Sequence, residues 1–490
     1  MFGQELFLFM TTKQFIRKIV IGRLLVLFTL GCVSSTAAAA GHTIPAVASY
    51  LPDSFLTGKI INPVICQSDP AQSYALYIPV KGNSTALPVI YFFDPHADGA
   101  LPLSKYRSLA DAYGFILIGS NNSKNGNDWT TTEKIWRHLW DDTQHRLKIN
   151  GHRIYTCGFS GGAKVAGYVA INDPAIQGVI ANGAGLPDEV SAGDFDFSFT
   201  AIAGEGDMNL TDLLAFSKAL DKTRTRHHII LFDGKHEWAP ENTMGLAFAG
   251  LQFDAMRKSS IPRDGALIDR YVAKSKKRLE ADYQAGQLIE ASRECSLSVG
   301  FLDGLAQEAA WFQKKAASLA GDPVFQKERR EQEDLLVREQ NIKEEYMQHF
   351  RQDDPGYWAA TIKHLQIRAA AKTADRPMNQ RLLAYLSLAF YSLSNRMIDG
   401  NDNSGARHFV ELYKMADPTN SEAWYFSAIL YARDNQPRAA ENDLLKAVGY
   451  GFRDEQRMMH QPEFIHLSAR MDLPAIKSRM HSSRGIHILN

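Results

Sequence analysis

The residues of this sequence best suited to chemistry are a serine set among glycines, in the stretch Gly158-Phe-Ser-Gly-Gly162. A β-branched run precedes the stretch and small residues follow it, which predicts a sharp strand-to-helix turn that carries Ser160. Gly158 and Gly162 leave room for the strained backbone of such a turn. The first helical amides would face the serine oxygen, so Gly161 N–H is the first candidate donor to an oxyanion. Although Gly-x-Ser-x-Gly also occurs by chance, the pattern indicates a serine nucleophile for acyl transfer.

Two later residues have the types and the order that such a serine needs. The strand patterns 199–203 and 227–232 are each followed by a polar residue, Asp207 and His236 respectively. Because the carboxyl ends of parallel strands open on one crevice, these residues are predicted to converge on Ser160. His236 would take and return the serine proton, while Asp207 orients the imidazole. Three other acids compete for the role of Asp207, the first being the strongest rival: Glu205, Asp212 and Asp233.

This order of serine, aspartate and histidine resembles the α/β-hydrolase superfamily. Residues 52–258 are similar to its compact branch of dienelactone hydrolases, feruloyl esterases and polyhydroxybutyrate-depolymerase-like esterases. The resemblance rests on Gly158-Phe-Ser-Gly-Gly162, on Gly204-Glu-Gly-Asp207, on Gly234-Lys-His-Glu-Trp238 and on the strand-rich segment 74–79. It implies a mostly parallel sheet with flanking helices and the hydrolysis of a carboxylic ester. Some members have a cysteine nucleophile, whereas this sequence has serine.

Two further loops and one aromatic side chain are also candidates for the site. The loop after the strand pattern 87–93 would supply the second oxyanion donor, from the amide of His96 or Ala97, although packing of His96 within its loop is an equal alternative. No stretch between the serine and Asp207 is long enough for a large cap, so an open site is expected. Three side chains are candidates for the substrate pocket, with a core position or an ordinary turn as the alternative: Trp238, Asn121 and Asn122.

Composition narrows the class of protein. The chain has 490 residues, 45% of them hydrophobic, and its 54 lysines and arginines balance 54 acidic residues. This length favours two domains, and the absence of net charge argues against a nucleic-acid partner. Without a zinc-ligand or phosphate-loop motif, neither a metal nor a cofactor is predicted.

Residues 1–40 have the pattern of an export signal, in which basic residues precede the apolar run 24–33. Cleavage in the alanines 37–40 would leave a soluble periplasmic or secreted protein. Thr29-Leu-Gly-Cys32 resembles a bacterial lipobox with its leucine displaced by one residue. A lipid anchor at Cys32 is therefore an equal alternative, and it would be the only attachment to a membrane. Three cysteines follow Cys32, which excludes a disulfide framework but leaves one bridge open: Cys66, Cys157 and Cys295. Cys157, just before the turn that carries Ser160, is predicted to be a buried core residue.

After Ser260 the strand patterns stop and helical spacing takes over, which predicts a catalytic domain over 41–260 and an α-helical domain over 261–490. The charged segment 325–351 is predicted to be a long amphipathic helix. Residues 423–447 resemble a tetratricopeptide repeat, and a degenerate copy precedes it, so repeats are expected around 381–452. Six residues fall on the repeat spacing: Trp424, Ala428, Tyr431, Ala440, Leu444 and Ala447. This domain would bind a protein partner or pack beside the crevice.

Three functions remain open at this point. The first is an exported serine hydrolase that cleaves a small-molecule or carbohydrate ester through an acyl-enzyme. The second is a peptidase with the same triad, since amide cleavage uses the same groups. The third is a non-catalytic scaffold that acts through its helical repeats. The complete set of Ser160, Asp207 and His236 favours an enzyme.

Overall fold

The computed structural model describes residues 55–80, 86–352 and 355–482. The predicted export signal, including Cys32, lies outside the described residues. Eight strands form one sheet in the order β1-β2-β4-β3-β5-β6-β7-β8. Their bounds are β1 Ile60–Ile65, β2 Ser73–Tyr77, β3 Leu87–Phe93, β4 Ile116–Ser120, β5 Ile149–Phe159, β6 Ile176–Asn182, β7 Ser198–Gly204 and β8 His227–Phe232.

The sheet is parallel from β4 through β8, and only β1 and β2 run antiparallel to their neighbours. Its central strands are buried on both faces, which explains why β3 has a continuous apolar sequence without polar alternation. The strands predicted from such runs are confirmed. β1, which is partly exposed and bulged, was not predicted because it lacks a strand pattern of either kind.

Five helices cover the two faces of this sheet. They are α1 Ala100–Tyr113, α2 Trp129–Arg146, α3 Gly161–Asn172, α4 Leu210–Leu220 and α5 Glu241–Arg257. Residues of α1 and α5 pack into one hydrophobic core on the first face. Residues of α2, α3 and α4 pack into another on the opposite face. The predicted architecture of a mostly parallel sheet with flanking helices is therefore confirmed.

The rest of the described chain is helical, as predicted. The helices are α6 Gly265–Gln284, α7 Leu288–Leu302, α8 Glu308–Ala320, α9 Pro323–Gln352, α10 Pro355–Ala370, α11 Arg376–Asp399, α12 Asn403–Ala416, α13 Ser421–Arg433, α14 Pro437–Gly449, α15 Glu455–His460, α16 Pro462–His466 and α17 Leu473–Ser482. In this described part, no helix combines the length and apolarity needed to span a membrane.

The change of composition near Ser260 marks the end of the strands but not the end of the first core. Tyr271, Phe301 and Phe325, from α6, α7 and α9, belong to the same core as the sheet residues packed by α1 and α5. A separate core begins at Tyr346 and includes residues as far as Met480. We refer to residues 355–482 as the helical region, and α9 contributes to both cores.

Helix pairs build the helical region. α11 packs on α12, and α13 packs on α14. Small residues allow the last pair to approach, and four of the residues on the predicted repeat spacing are fully buried: Ala428, Ala440, Leu444 and Ala447. This packing is consistent with the repeat pattern, while a binding role for these helices stays a prediction.

Candidate active site

The turn between β5 and α3 holds Ser160 in a strained conformation. Its φ of 53° and ψ of −121° are unusual for a residue with a side chain. The Ser160 N–H donates to Asn182 O at 2.9 Å. Glycine is required on either side, because a Cβ at Gly158 would lie 2.0 Å from Gly162 O, and one at Gly162 would lie 1.9 Å from Phe93 O. The glycines of the motif therefore permit the close approach of three backbone segments.

Three predicted residues meet at this turn. His236 Nε2 lies 2.9 Å from Ser160 Oγ, and His236 Nδ1 lies 3.0 Å from each carboxylate oxygen of Asp207. Asp207 is 0% exposed, whereas the His236 side chain retains 19% of its exposure. Since a carboxylate only accepts hydrogen bonds, Nδ1 carries the proton and Nε2 is left to accept from the serine. The arrangement can remove a proton from Ser160 and stabilise the resulting imidazolium.

The acids that compete with Asp207 in the sequence have other partners. Glu205 accepts from Arg293 Nη1 of α7 at 2.6 Å. Asp233 accepts from Arg376 Nη2 of α11 at 2.6 Å. Asp212 lies on α4 and lines a cavity of about 180 Å³. Asp207 is thus the acid that contacts His236.

The loop after β3 differs from the expectation for the second oxyanion donor. His96 N–H donates to Asp94 Oδ1 at 2.9 Å, and Ala97 N–H donates to Asp94 O at 3.2 Å. Both amides are engaged inside their own turn, in which Ala97 has a φ of 61°. Gly161 N–H, as the first residue of α3, has no partner within its helix, and it remains the donor that the geometry supports.

The side chains proposed for the pocket hold the fold together. Trp238 is buried against Phe92 and Phe159, and its indole N–H donates to Asp94 Oδ2 at 2.9 Å. The amide groups of the two asparagines bind residues of the β1–β2 edge: Asn121 bonds Asn62 and Ser73, and Asn122 bonds Ser73 and Ala71. These contacts match the core and turn alternatives rather than a role in the substrate pocket.

Sequence reasoning missed two buried polar residues that organise the site. Asp94 joins the loop after β3 to the segment after His236 through Trp238. Asn182 accepts from Ala239 N at 2.7 Å and donates to Glu237 O at 3.1 Å, while its backbone carbonyl holds Ser160. Asn182 ends a buried strand and Asp94 directly follows one, a position where a buried polar side chain must find partners. That position was the available signal.

Asn125, in the loop after β4, is a further residue beside the site. A Cβ on Gly161 would lie 1.9 Å from Asn125 Oδ1, so this side chain lies directly against the start of α3. Its backbone N–H donates to Pro95 O at 2.8 Å, and His96 forms a β-bridge with Lys124. The loops after β3 and β4 are therefore joined beside the serine.

The three cysteines of the described residues are free and buried. Burial raises the pKa of the Cys157 thiol well above its usual range and that of Cys66 to about 12. A protonated, buried thiol is a poor nucleophile, so Cys157 is a core residue as predicted.

Residues of the helical region contact loops on both sides of the site. Asp454, in the helical region, lies 3.7 Å from Lys124 in the loop after β4. Arg376 and Arg381 of α11 bind the loops after β8 and β7, on the other side of Ser160 in the sheet order. No long insertion between Ser160 and Asp207 makes these contacts. They come from residues that are distant in the sequence, which is why the pattern did not show them.

Comparisons with known proteins found likeness in structure only. No family model matches the chain, and no curated protein matches it. An esterase from the fungus Rhizomucor miehei is 13% identical, with 41% of this chain and 85% of that chain covered and a TM-score of 0.33. An S-formylglutathione hydrolase from Agrobacterium tumefaciens is 15% identical, with 38% and 90% covered and a TM-score of 0.30.

An acylaminoacyl peptidase from Pyrococcus horikoshii is 12% identical, with a TM-score of 0.29. The matched part covers 38% of this chain and 39% of the peptidase. These likenesses do not select a substrate. With its strand order, its strained serine between β5 and α3 and its helices on both faces, the first part of this chain has the α/β-hydrolase fold.

Proposed function

We propose that this protein is a serine hydrolase that cleaves a carboxylic ester. One observation carries the proposal: His236 Nε2 lies 2.9 Å from Ser160 Oγ while its Nδ1 faces the buried carboxylate of Asp207. Proton transfer to a base at this distance is what converts a serine hydroxyl into a nucleophile. The preference for an ester over an amide comes from the family resemblance in the sequence.

The reaction would proceed in two steps. Ser160 Oγ attacks the ester carbonyl as His236 Nε2 takes its proton, and Gly161 N–H donates to the oxygen that becomes negative. The imidazolium is stabilised by Asp207 and then protonates the departing alcohol, which leaves an acyl-enzyme. Water, deprotonated by the same imidazole, releases the acid and restores the serine.

The substrate and its location are also part of the proposal. Small-molecule and carbohydrate esters suit an exported enzyme, and the basic and apolar pattern of residues 1–40 supports export to the periplasm or beyond, with or without a lipid anchor at Cys32. A role of the helical region in binding a protein partner is a separate proposal that the repeat spacing supports.

Labelling with a fluorophosphonate probe tests the function. The purified protein is expected to be labelled, and Ser160→Ala is expected to lose both labelling and the release of nitrophenol from short-chain and long-chain acyl esters. Ser104→Ala, which changes an exposed serine of α1, is the matched control and should behave like the parent protein. Folded parent protein that takes no label, or Ser160→Ala that still hydrolyses the esters, would contradict the proposal. Faster cleavage of peptide anilides than of esters would instead make it a peptidase.

A further inference from the structure

Arg381, on α11 of the helical region, is fixed in a buried ion pair. Its Nε lies 2.8 Å and its Nη2 lies 2.7 Å from Glu339 Oε2 of α9. Glu339 is 0% exposed, and its other oxygen lies 2.7 Å from Lys343 Nζ. A guanidinium held by two of its nitrogens has little freedom to turn, so the direction of its third nitrogen is set by the helices.

The third nitrogen reaches into the sheet domain. Arg381 Nη1 donates to Glu205 O at 2.5 Å, across 176 residues of sequence. The N–H of the same Glu205 donates to Phe232 O of β8 at 2.9 Å. The residue is thus held on its amide side by the sheet and on its carbonyl side by the helical region.

Glu205 begins the short turn that ends at Asp207. Gly206 N–H donates to Gly234 O at 2.8 Å, and Asp207 N–H donates to Gly204 O at 3.0 Å. Gln380, the neighbour of Arg381, packs so closely that a Cβ on Gly206 would lie 2.6 Å from its Oε1. The acid loop, residues 204–207, is therefore enclosed between β8 and the first turns of α11.

We propose that Arg381 is a positioning residue for the catalytic acid: by holding the carbonyl of Glu205, it fixes the acid loop so that the Asp207 carboxylate faces His236. This inference rests on the proposed function. The helical region is then part of the catalytic machinery, although no residue of it needs to touch the substrate.

The expected kinetic signature follows from this geometry. A looser acid loop would misplace the carboxylate that orients His236, and misplacement of about 1 Å is enough to cost up to about 100-fold in rate. Because Arg381 is not assigned any contact with substrate, KM should stay within about two-fold of the parent value, while kcat falls by about 10- to 100-fold.

Two variants test the role, since removing Arg381 alone would leave a buried carboxylate with too few partners. Arg381→Lys keeps a positive charge beside Glu339 but loses the fork that reaches Glu205. The double variant Arg381→Met, Glu339→Gln removes both charges together. The matched control is the double variant Arg433→Met, Glu463→Gln. Arg433 also binds a glutamate, Glu463, and a backbone carbonyl, Ile398 O, but both partners lie within the helical region.

The readouts are kcat and KM for a nitrophenyl ester, the melting temperature, and hydrogen–deuterium exchange of the peptide that covers residues 204–210. Both Arg381 variants should show a lower kcat and faster exchange in this peptide, and the control should show neither. Parent-like exchange and kcat in folded Arg381 variants would overturn the positioning role and leave the hydrolase standing. Ester hydrolysis that survives Ser160→Ala would remove the proposed function, and the exchange of the acid loop would still decide whether Arg381 holds it.

Discussion

At the scale of single residues, the site depends on groups that are buried and paired around Ser160, which is itself only partly exposed. Asp207 has lost its contact with water and gains hydrogen bonds from His236 and from Asn209 N–H, the latter at 2.9 Å. These two donors replace the water that the buried carboxylate lost on folding. The imidazole is consequently held with its accepting nitrogen toward Ser160.

Replacing Asp207 by a neutral residue of the same shape tests how far its carboxylate sets the tautomer of His236. Asp207→Asn is expected to lower kcat by about 10⁴-fold, because an amide donates to Nδ1 and favours the wrong tautomer of His236. Glu205→Gln, which changes only the ion pair with Arg293, should keep most of the activity. The values of kcat for the two variants on one ester decide which carboxylate is the catalytic acid. A large loss in Glu205→Gln together with near-parent activity in Asp207→Asn would identify Glu205 as the acid.

The triad residues could be predicted because each follows a strand or elbow pattern that is local in the sequence. Asp94 and Asn182 also stand at strand ends, but no motif distinguishes them from other polar residues that end strands, and Arg381 lies on a helix whose contact with the acid loop spans 176 residues of sequence. The expectation for His96 and Ala97 came from the family resemblance, and the local chemistry of the Asp94 turn used those amides instead.

At the scale of elements, β8 is held to the helices that follow the sheet by an unusual buried histidine. His228 packs edge-on against Phe301 of α7, with ring centroids 4.6 Å apart, and a Cβ on Gly300 would lie 2.7 Å from its ring. Burial, which is the largest cause, and the nearby charges of Arg226, Arg257 and His227 together lower the pKa of His228 to about 3. The contact is therefore made by a neutral ring.

This neutral ring predicts a dependence of stability on pH. Below about pH 6.5 the unfolded chain binds a proton at His228, whereas the folded protein does not bind one there until about pH 3. The free energy of unfolding therefore falls as the pH falls through that window. Between pH 7.5 and 4.5 the loss should be about 3 kcal/mol larger for the parent protein than for His228→Leu.

Urea unfolding at the two pH values measures the difference. His152→Leu, at an exposed histidine, is the control and should follow the parent protein. An equal loss in the parent and in His228→Leu would contradict the assignment of this acid sensitivity to the buried ring.

The strands were the most predictable elements, because burial on both faces leaves a continuous apolar run. The packing of α7 on β8 was not predictable, since the helical spacing of 288–302 shows which face is apolar and not which surface receives it.

At the scale of the whole molecule, the chain is divided by its cores rather than by its composition. Phe253 of α5 lies 5.2 Å from Tyr271 and 5.9 Å from Phe301, measured between ring centroids, so the helices after Ser260 complete the core of the sheet domain. A cut at the change of composition would open this core and expose a large apolar surface.

Two truncations test this organisation. A chain that stops after Ser260 is expected to be insoluble, whereas one that stops after Lys327 keeps Tyr271, Phe301 and Phe325 and should fold. The longer truncation should still be labelled by a fluorophosphonate at Ser160, with a lower rate because Arg381 is gone. Soluble yield, melting temperature and labelling rate give the comparison, and a soluble, fully active chain ending at Ser260 would refute it.

Helix α9 starts in one core with Phe325 and enters the other with Tyr346, and it carries Glu339 between them. A helix of 30 residues is about 45 Å long, so a tilt of about 5° moves its far end by about 4 Å. Glu339 of this helix holds Arg381, so a tilt of α9 would shift the arginine relative to the acid loop. A change in the packing of the second core would then reach His236 and Ser160 through these contacts.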